Sequence, residues 1–195
     1  MSPCWLWTLI LVSGFLSHHP ALSDSSTQQP ALTYVDPPPW PPSLQEIWAT
    51  SPLVVHGVVA SSDPPRAIGD HGLVGRNHTV RIIEVLKSTS VNPPDSPVLV
   101  RQLGGTVQSN GREVSTTFPD VILREGQEYI LFLDRSNEVG IFIIHYDAAA
   151  FLIGPTARRV SMPTAARRLA ELKGRSEIAV QDFLALVRAF RDKIL

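Results

Sequence analysis

The chain has 195 residues, 17 of them basic and 18 acidic, for a net charge of −1. That balance gives no electrostatic ground for nucleic acid or an anionic membrane surface as partner. Its single cysteine, Cys4, permits no intramolecular disulfide, so the fold must stand on an apolar core alone. Small secreted animal domains usually carry such bridges, and this habit favours a bacterial exported protein.

The first element is Trp5 to Leu16, an apolar run of about a dozen residues, which suits a secretory signal and is short for a bilayer span. Ala21-Leu22-Ser23 then offers a small-x-small cleavage pattern, giving a signal peptide over 1–23 and a mature N-terminus at Asp24. No Lys or Arg precedes the run, which is atypical, and an uncleaved membrane anchor is the competing outcome. Residues 24–42 read as a Pro/Ser-rich tether ending in Pro37-Pro38-Pro39-Trp40-Pro41-Pro42. Each ring fixes φ and removes a donor, so the run adopts polyproline II. It serves either as a stiff spacer or as a ligand for an aromatic groove. Residues 43–195 are long enough for a single domain.

That domain opens on a short helix. Ser43 and Glu46 have capping-box spacing, Leu44, Ile47 and Trp48 repeat at helical intervals, and Ser51-Pro52 ends the pattern. Leu53 to Ala60 follows as a β-branched strand, with Gly57 placed where a coiled strand would bend. A glycine-containing loop is expected from Asp63 to Asn77. The second strand is His78 to Lys87, whose apolar residues change face between Ile82 and Ile83, a phase slip that indicates a bulge or burial on both sides. Pro97 to Leu103 forms the third strand, stopped by Gly104-Gly105, and a weaker exposed strand is expected over Glu113 to Phe118.

The segment Arg124 to Asp134 is the strand on which the rest depends. Side chains alternate between faces of a strand, so Tyr129, Leu131 and Leu133 share one face while Ile130 and Phe132 share the other. Both faces are apolar, whereas a sheet with one face in water alternates apolar with polar. One face should therefore line a barrel interior and the other should meet helices. This strand is expected to pair with Val139 to His145 across Arg135-Ser136-Asn137-Glu138. A small hairpin around Gly154-Pro155 joins Ala150–Ile153 to Arg159–Met162. Two helices are expected last: Ala165 to Lys173, closed by Gly174, and Ser176 to about Lys193. The second carries Val180, Phe183, Leu184, Val187, Phe190 and Ile194 on one stripe, with Gln181, Asp182, Arg188 and Asp192 opposite.

This order of elements, with Ser51-Pro-Leu-Val-Val-His-Gly-Val-Val59, Val80 to Lys87 and Gly126 to Leu133 as its most recognisable pieces, resembles the netrin-like module. The resemblance covers Ser43 to about Arg191. It implies the OB-type barrel shared with tissue inhibitors of metalloproteinases and with many exported bacterial proteins. The fold class expected is therefore mainly β with flanking helices: an OB-type, five- to six-stranded antiparallel barrel with a short N-terminal helix and C-terminal helices. In the animal inhibitors, the amine and carbonyl of an N-terminal cysteine chelate the protease zinc. Here Asp24 precedes a tether with no cysteine, and ordering such a segment costs roughly 1–2 kcal/mol per residue. Zinc-directed inhibition is accordingly not expected.

Chemistry-bearing residues are scattered. His56, His71, His78 and His145 remain in the mature chain, and Asp70-His71 and His78 flank one glycine-rich stretch, but their spacing matches no compact zinc motif. No G-x-S-x-G occurs, and Gly104-Gly105 lacks the Lys and following helix of a phosphate loop. The carboxylates Glu84, Asp134 and Asp147 lie on or beside strands without a partner that sequence can name. Few aromatics lie on the strands, which argues against base stacking of single-stranded nucleic acid. Asn77-His78-Thr79 is a glycosylation sequon, relevant only in a eukaryotic source. No residue is assigned a catalytic, cofactor-binding or metal-binding role, and no cofactor is expected.

The reading is an exported, non-enzymatic binding module, secreted or periplasmic, recognising an undetermined protein or envelope component. No nucleic-acid partner is expected, and membrane attachment only through an uncleaved signal. A secreted protease inhibitor acting through a barrel edge or loop is the first alternative, and a hydrolase with an unrecognised site the second.

Overall fold

The computed structural model describes residues 31–32, 43–69, 72–90, 97–109, 111–116, 121–144, 149–156 and 158–191. The signal segment, most of the tether, Asp70, His71, His145 and Asp147 lie outside them.

The strand expected at Arg124–Asp134 is β8 (Glu128–Arg135), and it is buried from Tyr129 through Leu133. Its two faces enter two different cores. Ile130 and Phe132 pack with the helical residues Leu44, Trp48, Phe183 and Val187, while Tyr129, Leu131 and Leu133 pack with Val55, Val80 and Val100 from other strands. A helix layer on one face and a strand-lined interior on the other is what the doubly apolar pattern required.

Around β8 runs a large sheet. β8 pairs antiparallel with β2 (Leu53–Ser62) and β9 (Ile141–Ile144); β2 pairs with β4 (Leu73–Ser88), and β4 with β5 (Val98–Leu103). β5 and β9 pair in parallel, so these five strands make a partial ring that is not wholly antiparallel as expected. On the far side of β8, β10 (Ala150–Ile153) and β11 (Arg159–Ser161) form the small hairpin around Gly154-Pro155.

The slip in β4 is real. Register shifts fall at Val54/Val55, His56/Gly57 and Val59/Ser61 of β2, so that one strand bends over the other through bulges. Gly57 permits the closest approach: a Cβ there would lie 2.8 Å from both the Arg81 carbonyl oxygen and Val80 Cγ1.

Several expectations need correction. The loop from Asp63 to Asn77 is instead a hairpin, in which β3 (Arg66–Ile68) pairs with the first residues of a sixteen-residue β4. As expected, the third strand does stop at Leu103, before Gly104-Gly105. Both glycines adopt φ near +125°, turning the backbone into β6 (Gly105–Ser109), which pairs with β7 (Arg112–Thr116). A two-residue strand from the tether, β1 (Ala31–Leu32), lies parallel to β7.

The expected helix Ala165–Lys173 is two 3-10 turns, Ala166–Arg168 and Ala170–Leu172, because Leu169 between them takes an extended conformation. That break brings the Glu171 carboxylate to the start of α1 (Leu44–Thr50), where it accepts from the Leu44 and Gln45 amides at 2.9 and 3.2 Å. Ser43 Oγ caps the Glu46 amide at 3.1 Å, and Lys87 Nζ meets the Trp48 and Ala49 carbonyls at the other end. Both ends of this short helix are thus satisfied by groups distant in sequence. Ser176 is no helix cap: Glu177–Ala179 forms β12 on the edge of β11, with Ile178 opposite Val160. The last helix, α2, is Val180–Arg191, and its stripe Val180, Phe183, Leu184, Val187 and Phe190 is buried as the periodicity required. Ile194 lies outside the described residues.

Candidate binding surface

The helix layer covers one side of the ring only. On β5, Val98 and Val100 point into the strand-lined core, so Leu99, Arg101 and Leu103 alternate to the outer face. On β9, Phe142 and Ile144 pack inward, which leaves Ile141 and Ile143 outside beside Leu99 and Arg101. Leu99 and Leu103 are 40% and 37% exposed, and no described helix lies over them. Isolated exposed leucines are ordinary on a protein surface; a row of them bracketing a fixed charge is less so.

Arg101 is that charge. Although on the outer face it is buried, its Nε donating to Asn77 Oδ1 at 2.9 Å on the neighbouring strand. Its terminal nitrogens grip Glu138 in bidentate fashion, with Nη2 3.0 Å from Oε2. A guanidinium taken out of water requires such partners, since an unpaired buried charge is strongly destabilising. The Arg101 hydrogen bond holds the Glu138 carboxyl below its usual range despite that group's exposure. The pair fixes the β8–β9 turn across the sheet, and Gly140, at φ +78°, lets the turn close. Val139 at its tip is fully exposed. Beside the turn lies a cavity of about 360 Å³ lined by Ser90, Arg135, Asn137, Val139, Ile141 and Phe142, among others.

Two polar clusters lie elsewhere. In the first, His56 Nε2 is 2.6 Å from Glu128 Oε1, and Arg158 donates to both Glu128 oxygens at 2.8 and 2.7 Å. Burial raises the Glu128 carboxyl, but the His56 and Arg158 hydrogen bonds outweigh it, so the net shift is downward. Arg158 holds φ +47°, in the left-handed region that a side chain disfavours, while its carbonyl accepts from the Val180 amide at 2.9 Å. This cluster ties β2, β8 and the β10–β11 hairpin to the start of α2.

In the second, Ser62 Oγ lies 2.8 Å from His78 Nδ1 inside the ring. His78 has no exposed surface; burial and the nearby Arg76 charge lower its pKa to about 4, against opposing effects of Asp63, Glu125 and the Gln102 amide. Gln102 itself is committed to the Val121 carbonyl and Leu123 amide at 2.6 and 3.0 Å, and leaves His78 Nε2 without a well-formed hydrogen bond. A ring neutral down to that pH is a weak base for activating a serine at neutral pH.

Among the described residues, the structure brings none of those weighed from sequence into one site. His56 and His78 sit in separate clusters, Glu84 is paired bidentately with Arg188 of α2 at 2.8 Å, and Asp134 accepts from the Arg135 amide. Among the described residues, no group of three His, Cys, Asp or Glu side chains could hold a metal ion, and no helix is long and apolar enough to cross a membrane. Sequence reasoning missed Arg101 and Glu138 altogether. The one signal was a charge at an outward position between Leu99 and Leu103, the apolar outward residues on either side of it. In comparisons with known proteins, no family model matches this chain and no curated protein matches it.

Proposed function

We propose that the mature chain is an exported, non-enzymatic binding protein of netrin-like, OB-type architecture that recognises a protein or envelope component through the outer face of β5 and β9. The OB-type reading is supported by the five-strand pairing order and its single parallel contact between β5 and β9, as suits a partly open Greek-key barrel. The observation carrying the functional reading is the apolar row Leu99, Ile141, Ile143 and Leu103 around a locked Arg101, on the side of the ring that the helix layer leaves open. Apolar side chains around a pre-positioned arginine suit the desolvated centre of a protein interface. The test is affinity capture from the exported fraction of the native source with wild type and a Leu99→Asp/Leu103→Asp variant of unchanged melting temperature. A partner retained by wild type and lost by the variant is expected; equal capture by both rejects this face. A second reading, protease inhibition through a loop, rests on Val139, which projects fully exposed from a turn braced by Glu138 and Arg101. Inhibition of a secreted protease abolished by Val139→Asp would establish it.

A further inference from the structure

The tether does not simply lead to the domain. Ala31–Leu32 lies along the outer edge of β7 in parallel register, Ala31 against Val114 and Leu32 against Ser115. β7's other edge is taken by β6, so without β1 its outer row of amides and carbonyls would be unpaired. Such an edge is a template for any extended chain, and the polypeptide's own N-terminal segment uses it in this way.

We propose that the β7 edge is a strand-acceptor site that the tether occupies in cis and that an extended, proline-free peptide segment of a partner occupies in its place. The cis occupant is built to be displaced. It is preceded by Pro30 and runs into Pro37-Pro38-Pro39, none of which can donate to a ladder, so only residues 31–36 between them offer a full set of donors. Among the described residues of this stretch, Ala31 and Leu32 pair with β7. Its advantage is attachment: a short tether presents it at an effective concentration in the millimolar range. A trans peptide must overcome that concentration, so the tether acts as a built-in competitor. This site is separate from the β5–β9 face, and either stands if the other fails.

The probe is a fluorescein-labelled peptide of residues 31–36, titrated by anisotropy into the mature protein and into an Ala31→Pro/Leu32→Pro variant. Proline removes the amides of β1 without substituting any residue of β6, β7 or the two described cores. The variant should bind the peptide about tenfold or more tighter than wild type. N-methylation of successive peptide amides should abolish binding at alternate positions only, which distinguishes a backbone ladder from adhesion of side chains. Hydrogen exchange on the full chain gives a second readout: amides within Val114–Thr116 should lose protection in the variant. Equal peptide binding by both proteins, no binding by the variant, or unchanged exchange would overturn the proposal. So would a wild-type dimer that dissociates in the variant, since the segment would then pair with a second copy of the chain.

Discussion

His78 should make this protein lose stability on mild acidification. The ring is buried, and its pKa lies near 4 against 6.5 for a free histidine, so between those values the unfolded chain binds a proton that the folded chain refuses. Stability therefore rises with pH through the window: it is fully present above about 6.5 and is lost as pH falls toward 4. That difference corresponds to a ceiling of roughly 3 kcal/mol, most of which should be gone by pH 4.5. Acid also acts on carboxylates throughout the chain. The measurement is therefore a difference: urea unfolding of wild type and His78→Gln at pH 7.5 and 4.5. The stability gap between the two proteins should shift by about 2 kcal/mol or more in favour of the variant at the lower pH. A gap that stays constant within about 0.5 kcal/mol would refute the buried, neutral ring. The His78 Cε1–H resonance gives an independent check in wild type alone, since it should not titrate above pH 5.

Phe132 packs edge-on against Phe151 at 5.7 Å, and Phe151 contacts Phe183 at 4.7 Å, so Phe132→Ala should cost about 3–5 kcal/mol; a loss below about 1 kcal/mol would show that the helix layer does not cover β8. Gly57→Val would drive its Cβ into the Arg81 carbonyl and should destabilise by about 1–3 kcal/mol, seen as a lowered melting temperature; a neutral outcome would mean that β2 and β4 approach less closely there. Exported material should begin at or near Asp24, and an intact mass retaining Met1 would contradict the cleavage expected from Ala21-Leu22-Ser23.

What could be read in advance was local. The alternation of Tyr129, Leu131 and Leu133 with Ile130 and Phe132 specifies two buried faces, and the structure fills them with different cores. The stripe of α2 and the phase slip at Ile82–Ile83 are likewise carried by neighbouring residues. Readings failed where a distant partner decided the conformation. Glu177–Ala179 follows a serine well suited to cap a helix, yet the open edge of β11 draws it into a strand. Ala165–Lys173 has helical composition, but Glu171 is claimed by the amides of α1, some 127 residues away from Leu44. Gly104-Gly105 ends β5 as expected, but nothing in the neighbouring residues marks the turn into β6 that their positive φ values make. The Arg101–Glu138 pair spans 37 residues, and no periodicity marks it. Charge pairing across a sheet is a property of register, which the bulges of β2 and β4 reset three times.

The central claim is that the outer face of β5 and β9 is where a partner docks, and site-specific photo-crosslinking tests it most directly. A benzoylphenylalanine placed at Leu99 or Leu103, and at the exposed control positions Lys173 and Gln181, is irradiated in the native exported fraction. The account predicts one partner of constant mass crosslinking from Leu99 and Leu103, absent from both controls and abolished when Arg101→Met loosens the adjoining turn. Crosslinks of equal yield from all four positions, or from the controls alone, would contradict it.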